Sequence, residues 1–171
     1  MTDLFEQFYS GQGTDDRGRR IEEIWAWEDA QLESVHDYVQ WLFPSRRPSQ
    51  FNPDAPVLTE EVIAAFRADP QLRERLLKSF ERMLRFYGFE TVEDEDGLAI
   101  KRASNWRERF GNWVSPGNHN HLRITRILAC LRALGLARYA RAFLEALEAV
   151  RKEFPAAISG RTAEFWRSAG G

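Results

Sequence analysis

Apolar residues recur at steps of three and four along most of this chain of 171 residues. That spacing places them on one face of an α-helix. Ile21, Ile24, Trp25, Leu32, Val35, Val39 and Leu42 follow it, with Glu28 as the one polar intruder. They predict one long helix ending near Pro44, because the residue before a proline is pushed out of the α region, and burial of Trp41 and Phe43 where the chain must turn and fold back. Four prolines between Pro44 and Leu58 predict a loop. Thr59 then caps a short helix through Phe66. Asp69-Pro70 opens the next helix, pairing an N-cap carboxylate with proline at the first helical position. Leu72, Leu76, Phe80, Met83, Leu84 and Tyr87 form its apolar stripe, and Gly88 closes it.

The period changes between Phe89 and Arg102. Two short runs, Phe89–Val92 and Leu98–Lys101, flank an Asp96-Gly97 turn and predict a β-hairpin. Asn105 to Trp113 reads as a short helix, and Ser115 to Asn118 as a turn. Leu122, Ile124, Ile127, Leu128, Leu131 and Leu134 make a helix ending at Gly135. Leu136, Tyr139, Phe143, Leu147 and Val150 make another, and Thr162 to Trp166 a short terminal turn of helix. The predicted fold is mainly α, a compact single-domain helical fold with one small β-hairpin near residues 89–102. Residues 1–18 are expected to be a flexible N-terminal segment, residues 19–155 the folded domain and residues 156–171 a C-terminal extension.

Composition adds less than pattern. A chain of this size buries a full core without staples. Cys130 is the only cysteine, so no intramolecular disulfide forms, in keeping with a reducing compartment. No stretch approaches the roughly 20 apolar residues of a membrane helix, and the first residues carry no apolar run of a signal peptide. The expectation is a soluble, intracellular, cytoplasmic protein without membrane insertion.

Charge is unevenly spread. Residues 1–37 carry a net −7 and residues 98–141 a net +8, within an overall −2. A basic block is one mark of a nucleic-acid or polyanion binder. The pI near 6.0 instead favours pairing of the basic block with the acidic start of the same chain.

Two groups of residues carry candidate chemistry. His119, Arg123 and Arg126 share a face at the start of the Gly135-terminated helix, with Asn120 among them. Free N–H groups at a helix start add to their attraction for an anion. Asp29, Glu33, Asp37 and Gln40 form an acidic stripe on the predicted first long helix, with His36 beside it. One reading makes the stripes a peptide site built from His36, Asp37, Tyr38, Trp41, His119, Asn120, Arg123 and Arg126. Asp37 or Glu33 holds an ammonium group, and an arginine holds a carboxylate in a bidentate pair. Trp25, Trp27, Tyr38 and Trp41 supply aromatic walls. The other reading pairs the stripes with each other, one arginine structural and the other reachable by solvent. Glu33-x-x-His36 matches half of a di-iron motif, but no second half exists, so no metal and no cofactor are expected. No nucleophile elbow or phosphate-cradling glycine loop is present, so no catalytic residue is assigned.

Several ordered stretches carry a family likeness. They are Phe8-Tyr9, His36-Asp37-Tyr38-Val39-Gln40-Trp41-Leu42-Phe43-Pro44, Asn52 with Ala55-Pro56, Leu58-Thr59, Met83 to Gly88, Asn118-His119-Asn120 through Leu128, and Leu134-Gly135-Leu136. Over roughly residues 5–150 the chain resembles the conserved domain of the opioid growth factor receptor family. In animals that family is described as a nuclear and perinuclear receptor for an enkephalin peptide. The resemblance implies a non-enzymatic binding domain for a peptide or protein segment. It implies no catalytic residues.

Overall fold

The computed structural model describes residues 3–171. In chain order its elements are α1 (Leu4–Ser10), α2 (Ile21–Trp25), α3 (Asp29–Ser34), α4 (Val39–Leu42), α5 (Glu60–Ala68), α6 (Pro70–Tyr87), β1 (Phe89–Asp94), β2 (Gly97–Arg102), α7 (Trp106–Trp113), α8 (Asn120–Ala133), α9 (Ala137–Glu153) and α10 (Gly160–Gly170). The fold is mainly α, and among the described residues the one sheet is the two-stranded hairpin. No helix of the described residues is long and apolar enough to cross a membrane. Contacts within the chain group it into two units, divided in sequence between Phe80 and Glu81, within α6.

In the first unit residues 4–10 are more structured than expected. Inside the segment read as flexible, α1 is capped by the Asp3 carboxylate and buries Phe5, Phe8 and Tyr9. Phe5 stacks on Tyr9 with ring centroids 5.0 Å apart. The Tyr9 hydroxyl donates to the Leu42 carbonyl at 2.7 Å and lies 2.8 Å from Ser79 Oγ, which accepts the Trp25 indole N–H at 2.8 Å. Three aromatic residues on a seven-residue helix are too short a run to show a period, so side-chain burial decides the helix.

The long helix expected from Ile21 to Leu42 is instead three short ones. Breaks fall at Ala26–Glu28 and Val35–Tyr38. Ile21, Ile24, Leu32, Val39 and Leu42 are all buried, as the pattern required, because three short helices turned toward one core keep the same recurrence. Tertiary contacts override the helix. Tyr38 crosses the second break to put its ring edge-on to Trp27 at 5.4 Å, and its hydroxyl donates to the Leu32 carbonyl at 2.7 Å. That bond satisfies an acceptor a continuous helix would have used itself. Trp41 and Phe43 are buried, as expected of residues just before the turn at Pro44. The proline loop is tied at its ends by a bridge between Ser45 and Val57.

The second unit begins in the last turns of α6. Gly88, at φ +90°, ends that helix where a Cβ would come within 2.9 Å of the Trp106 Cα. Only glycine takes both the left-handed backbone and this approach without strain. The hairpin pairs Phe89 with Arg102 down to Asp94 with Gly97. Its Phe89 enters a cluster with Phe110, Trp113 and Phe143. Helices α8, α9 and α10 pack on one another. The predicted terminal turn is the 11-residue α10, with Ala163 and Trp166 buried.

Candidate functional site

The start of α8 is built by the Asn118-to-His121 motif. Asn118 Oδ1 accepts the Asn120 N–H at 2.9 Å, and the Asn118 amide donates to the Asn112 carbonyl at 2.9 Å and to Ser115 Oγ at 3.0 Å. One side chain therefore satisfies the first N–H of α8 and fixes the turn before it. Asn120 is fully buried, its Oδ1 near the Tyr87 hydroxyl at 3.4 Å and Arg123 Nη1 at 3.5 Å. His121 is buried too. Its Nε2 donates to the Trp113 carbonyl at 2.9 Å, while its own carbonyl accepts from Trp166 Nε1 at 3.1 Å.

These contacts separate the two arginines. Arg123 is buried and sits beside Asn120. Arg126 is half-buried, and burial pushes its guanidinium pKa down. His119 is exposed. Leu122, read from the sequence as part of the apolar stripe, is instead 70% exposed. It stands three residues after His119 and four before Arg126, so all three share a face. That spacing was visible in the sequence, but an apolar residue in a leucine-rich helix reads as core until the helix is placed. Cys130 is buried, and burial pushes its thiol pKa well up, so it is an inert core residue.

Burial also depresses the His121 pKa, against the opposing effect of its contact with the Trp113 carbonyl. The unfolded chain therefore takes up the proton more readily. The stability gained by keeping His121 neutral is complete above about pH 6.5 and is lost as pH falls below it. Melting temperatures between pH 7 and pH 5 should fall more for the wild type than for His121→Gln. Parallel curves for the two proteins would contradict this.

In the first unit the His36-Asp37-Tyr38-Trp41 stretch is placed differently from expectation. Glu33 and His36 do not share a helix face, because α3 ends at Ser34, and the acidic stripe loses its continuous helix. Asp37 is engaged by Arg19 at 2.9 Å and Arg17 at 3.2 Å. Arg19 also pairs with Asp15 at 2.7 Å, whose side chain is fully buried and accepts two backbone N–H bonds. This network anchors the loop before α2 to the Asp37 segment. Tyr38 is fully buried, and Trp41, edge-on to Phe8 at 5.3 Å, is 5% exposed. Both serve the core of the unit, not an open aromatic wall. His36 is exposed.

With this geometry in place, comparison with known proteins is informative. Residues 6–156 match the family model described as the opioid growth factor receptor (OGFr) conserved region. The chain is 46% identical over 125 residues to the opioid growth factor receptor of Rattus norvegicus, covering 71% of this chain and 21% of that protein. It is 42% identical over 128 residues to the Homo sapiens receptor, covering 72% and 18%. It is 39% identical over 121 residues to opioid growth factor receptor-like protein 1 of Mus musculus, covering 69% and 25%. The chain thus spans about a quarter or less of the length of these relatives. No solved structure matches. Length of match and identity together place this chain in the opioid growth factor receptor conserved-region family.

Proposed function

We propose that this chain is a recognition domain without catalysis of its own, binding a peptide or protein segment through the start of α8. The observation that carries this reading is Leu122, 70% exposed and flanked on its face by His119 and Arg126. An apolar contact between two groups able to carry positive charge suits a peptide end with an apolar side chain and a free carboxylate. Arg126 stays protonated at neutral pH, and its partial desolvation strengthens attraction to a carboxylate. The relatives' name of receptor supports the same reading.

A polyanion role for the basic block has less support. Part of that charge is engaged within the second unit, where Arg102 pairs with Glu153 and Arg138 with Glu93, and Arg109 donates to the Phe86 carbonyl.

Calorimetry with an enkephalin peptide, carrying either a free or an amidated C-terminus, tests the proposal. The free acid should bind more tightly. Arg126→Gln should weaken it by about tenfold, or ~1.4 kcal/mol, with little change in melting temperature. Equal binding of the two peptide forms, or no binding, would overturn it. A large loss of stability in Arg126→Gln would assign the arginine to an internal ion pair instead.

A further inference from the structure

Helix α10 lies beyond the span of the family match, which ends at residue 156, yet it contributes buried side chains to the second unit. Ala163, Trp166 and Gly170 are buried and fall at i, i+3 and i+7, one face of the helix. Trp166 is the anchor. Its indole N–H donates to the His121 carbonyl at 3.1 Å, and its ring meets the His121 ring edge-on at 5.6 Å. At Gly170 the backbone comes so close to α8 that a Cβ would lie 2.9 Å from Leu128 Cδ2. At the rim, Arg167 makes a two-pronged pair with Glu148 of α9 at 2.8 and 3.2 Å, and Arg132 of α8 donates to the Ser168 carbonyl at 3.3 Å.

An aromatic anchor, a small residue at the point of closest approach and a charge pair at the edge are the parts of helix-in-groove recognition. An isolated helix of 11 residues is marginal in water. The helical form of this segment therefore depends on the surface it covers.

From this we infer that the face formed by α8 and α9 is a helix-docking groove, held in this chain by its own α10. The groove accepts in its place an amphipathic helix of another protein. That helix carries an aromatic residue at the Trp166 position, a small residue four places later, and a basic residue beside the aromatic to meet Glu148. This surface involves His121 and Leu128, not the exposed His119–Leu122–Arg126 face, and the inference does not rest on enkephalin binding.

A labelled peptide of residues 157–171 tests it by fluorescence anisotropy against the full chain. The Trp166→Ala chain, its own α10 weakened, should bind the peptide at least tenfold more tightly than the wild-type chain does. The same peptide carrying Trp166→Ala should bind neither. Equal affinity for both chains, or no binding to the Trp166→Ala chain, would overturn the inference. Native-state hydrogen exchange on the wild type decides the matter if the variant fails to fold. The α10 amides should exchange at least tenfold faster than the protected amides of α8. Equal protection of the two helices would make α10 a permanent part of the core and overturn the inference.

Discussion

Trp113→Ala should lower the melting temperature by roughly 6–20 °C, the consequence of a loss of about 3–5 kcal/mol in a chain of this size. Trp113 is fully buried and joins four parts of the second unit. Its indole N–H donates to the Tyr87 carbonyl at the end of α6, at 2.9 Å. Its ring lies edge-on to Phe110 and Tyr87 and tilted against Phe89 of the hairpin. Its carbonyl receives the His121 side chain. Alanine removes the ring and the N–H together, and α6, β1 and α8 cannot all close on the space. Even Trp113→Phe, which keeps a ring, removes the bond to Tyr87 and should cost about 1–3 kcal/mol. Thermal melts of both variants check this. An unchanged melting temperature for Trp113→Ala would contradict the packing described.

Trp41→Ala should be similarly costly, about 3–5 kcal/mol, since Trp41 is also buried and packs against Phe8. Its phenylalanine variant should behave differently. Trp41 Nε1 is buried with no hydrogen-bond partner among the described residues, and a buried donor without an acceptor is a standing cost. Trp41→Phe removes that donor, offsetting part of the lost ring volume. Denaturant unfolding should therefore rank Trp41→Phe as milder than Trp113→Phe. The opposite ranking would mean that Trp41 Nε1 has an acceptor, such as a trapped water.

These two tryptophans mark what the sequence makes legible and what it hides. Periodicity placed α5, α6, α8 and α9 and the hairpin, because each has its own punctuation: Thr59, Asp69-Pro70, Gly88, Asp96-Gly97 and Gly135. Burial of Trp41 and Phe43 followed from the turn forced by Pro44. The same periodicity was blind to the breaks between Ile21 and Leu42, since their causes are contacts distant in sequence. One is the Trp27–Tyr38 ring pair, and the other is the hold of Arg17 and Arg19 on Asp37. Helix α1 escaped because its order comes from burial of Phe5, Phe8 and Tyr9, not from propensity.

The candidate site was half legible. The sequence pointed to the start of α8 through its cluster of polar and cationic residues. It gave no means of telling the buried Asn120, His121 and Arg123, which build the helix start, from the exposed His119 and Leu122 and half-buried Arg126. That division depends on where α7 and α10 lie, and those positions are set by Trp113 and Trp166 through their bonds to Tyr87 and His121.

The most direct test of recognition through the start of α8 is an NMR titration of isotope-labelled protein with an enkephalin peptide bearing a free carboxylate. The account predicts saturable shift changes centred on His119, Leu122 and Arg126, with the loop at Asp15 and Arg19 unaffected. No shift at the start of α8, or changes centred on another surface, would contradict it.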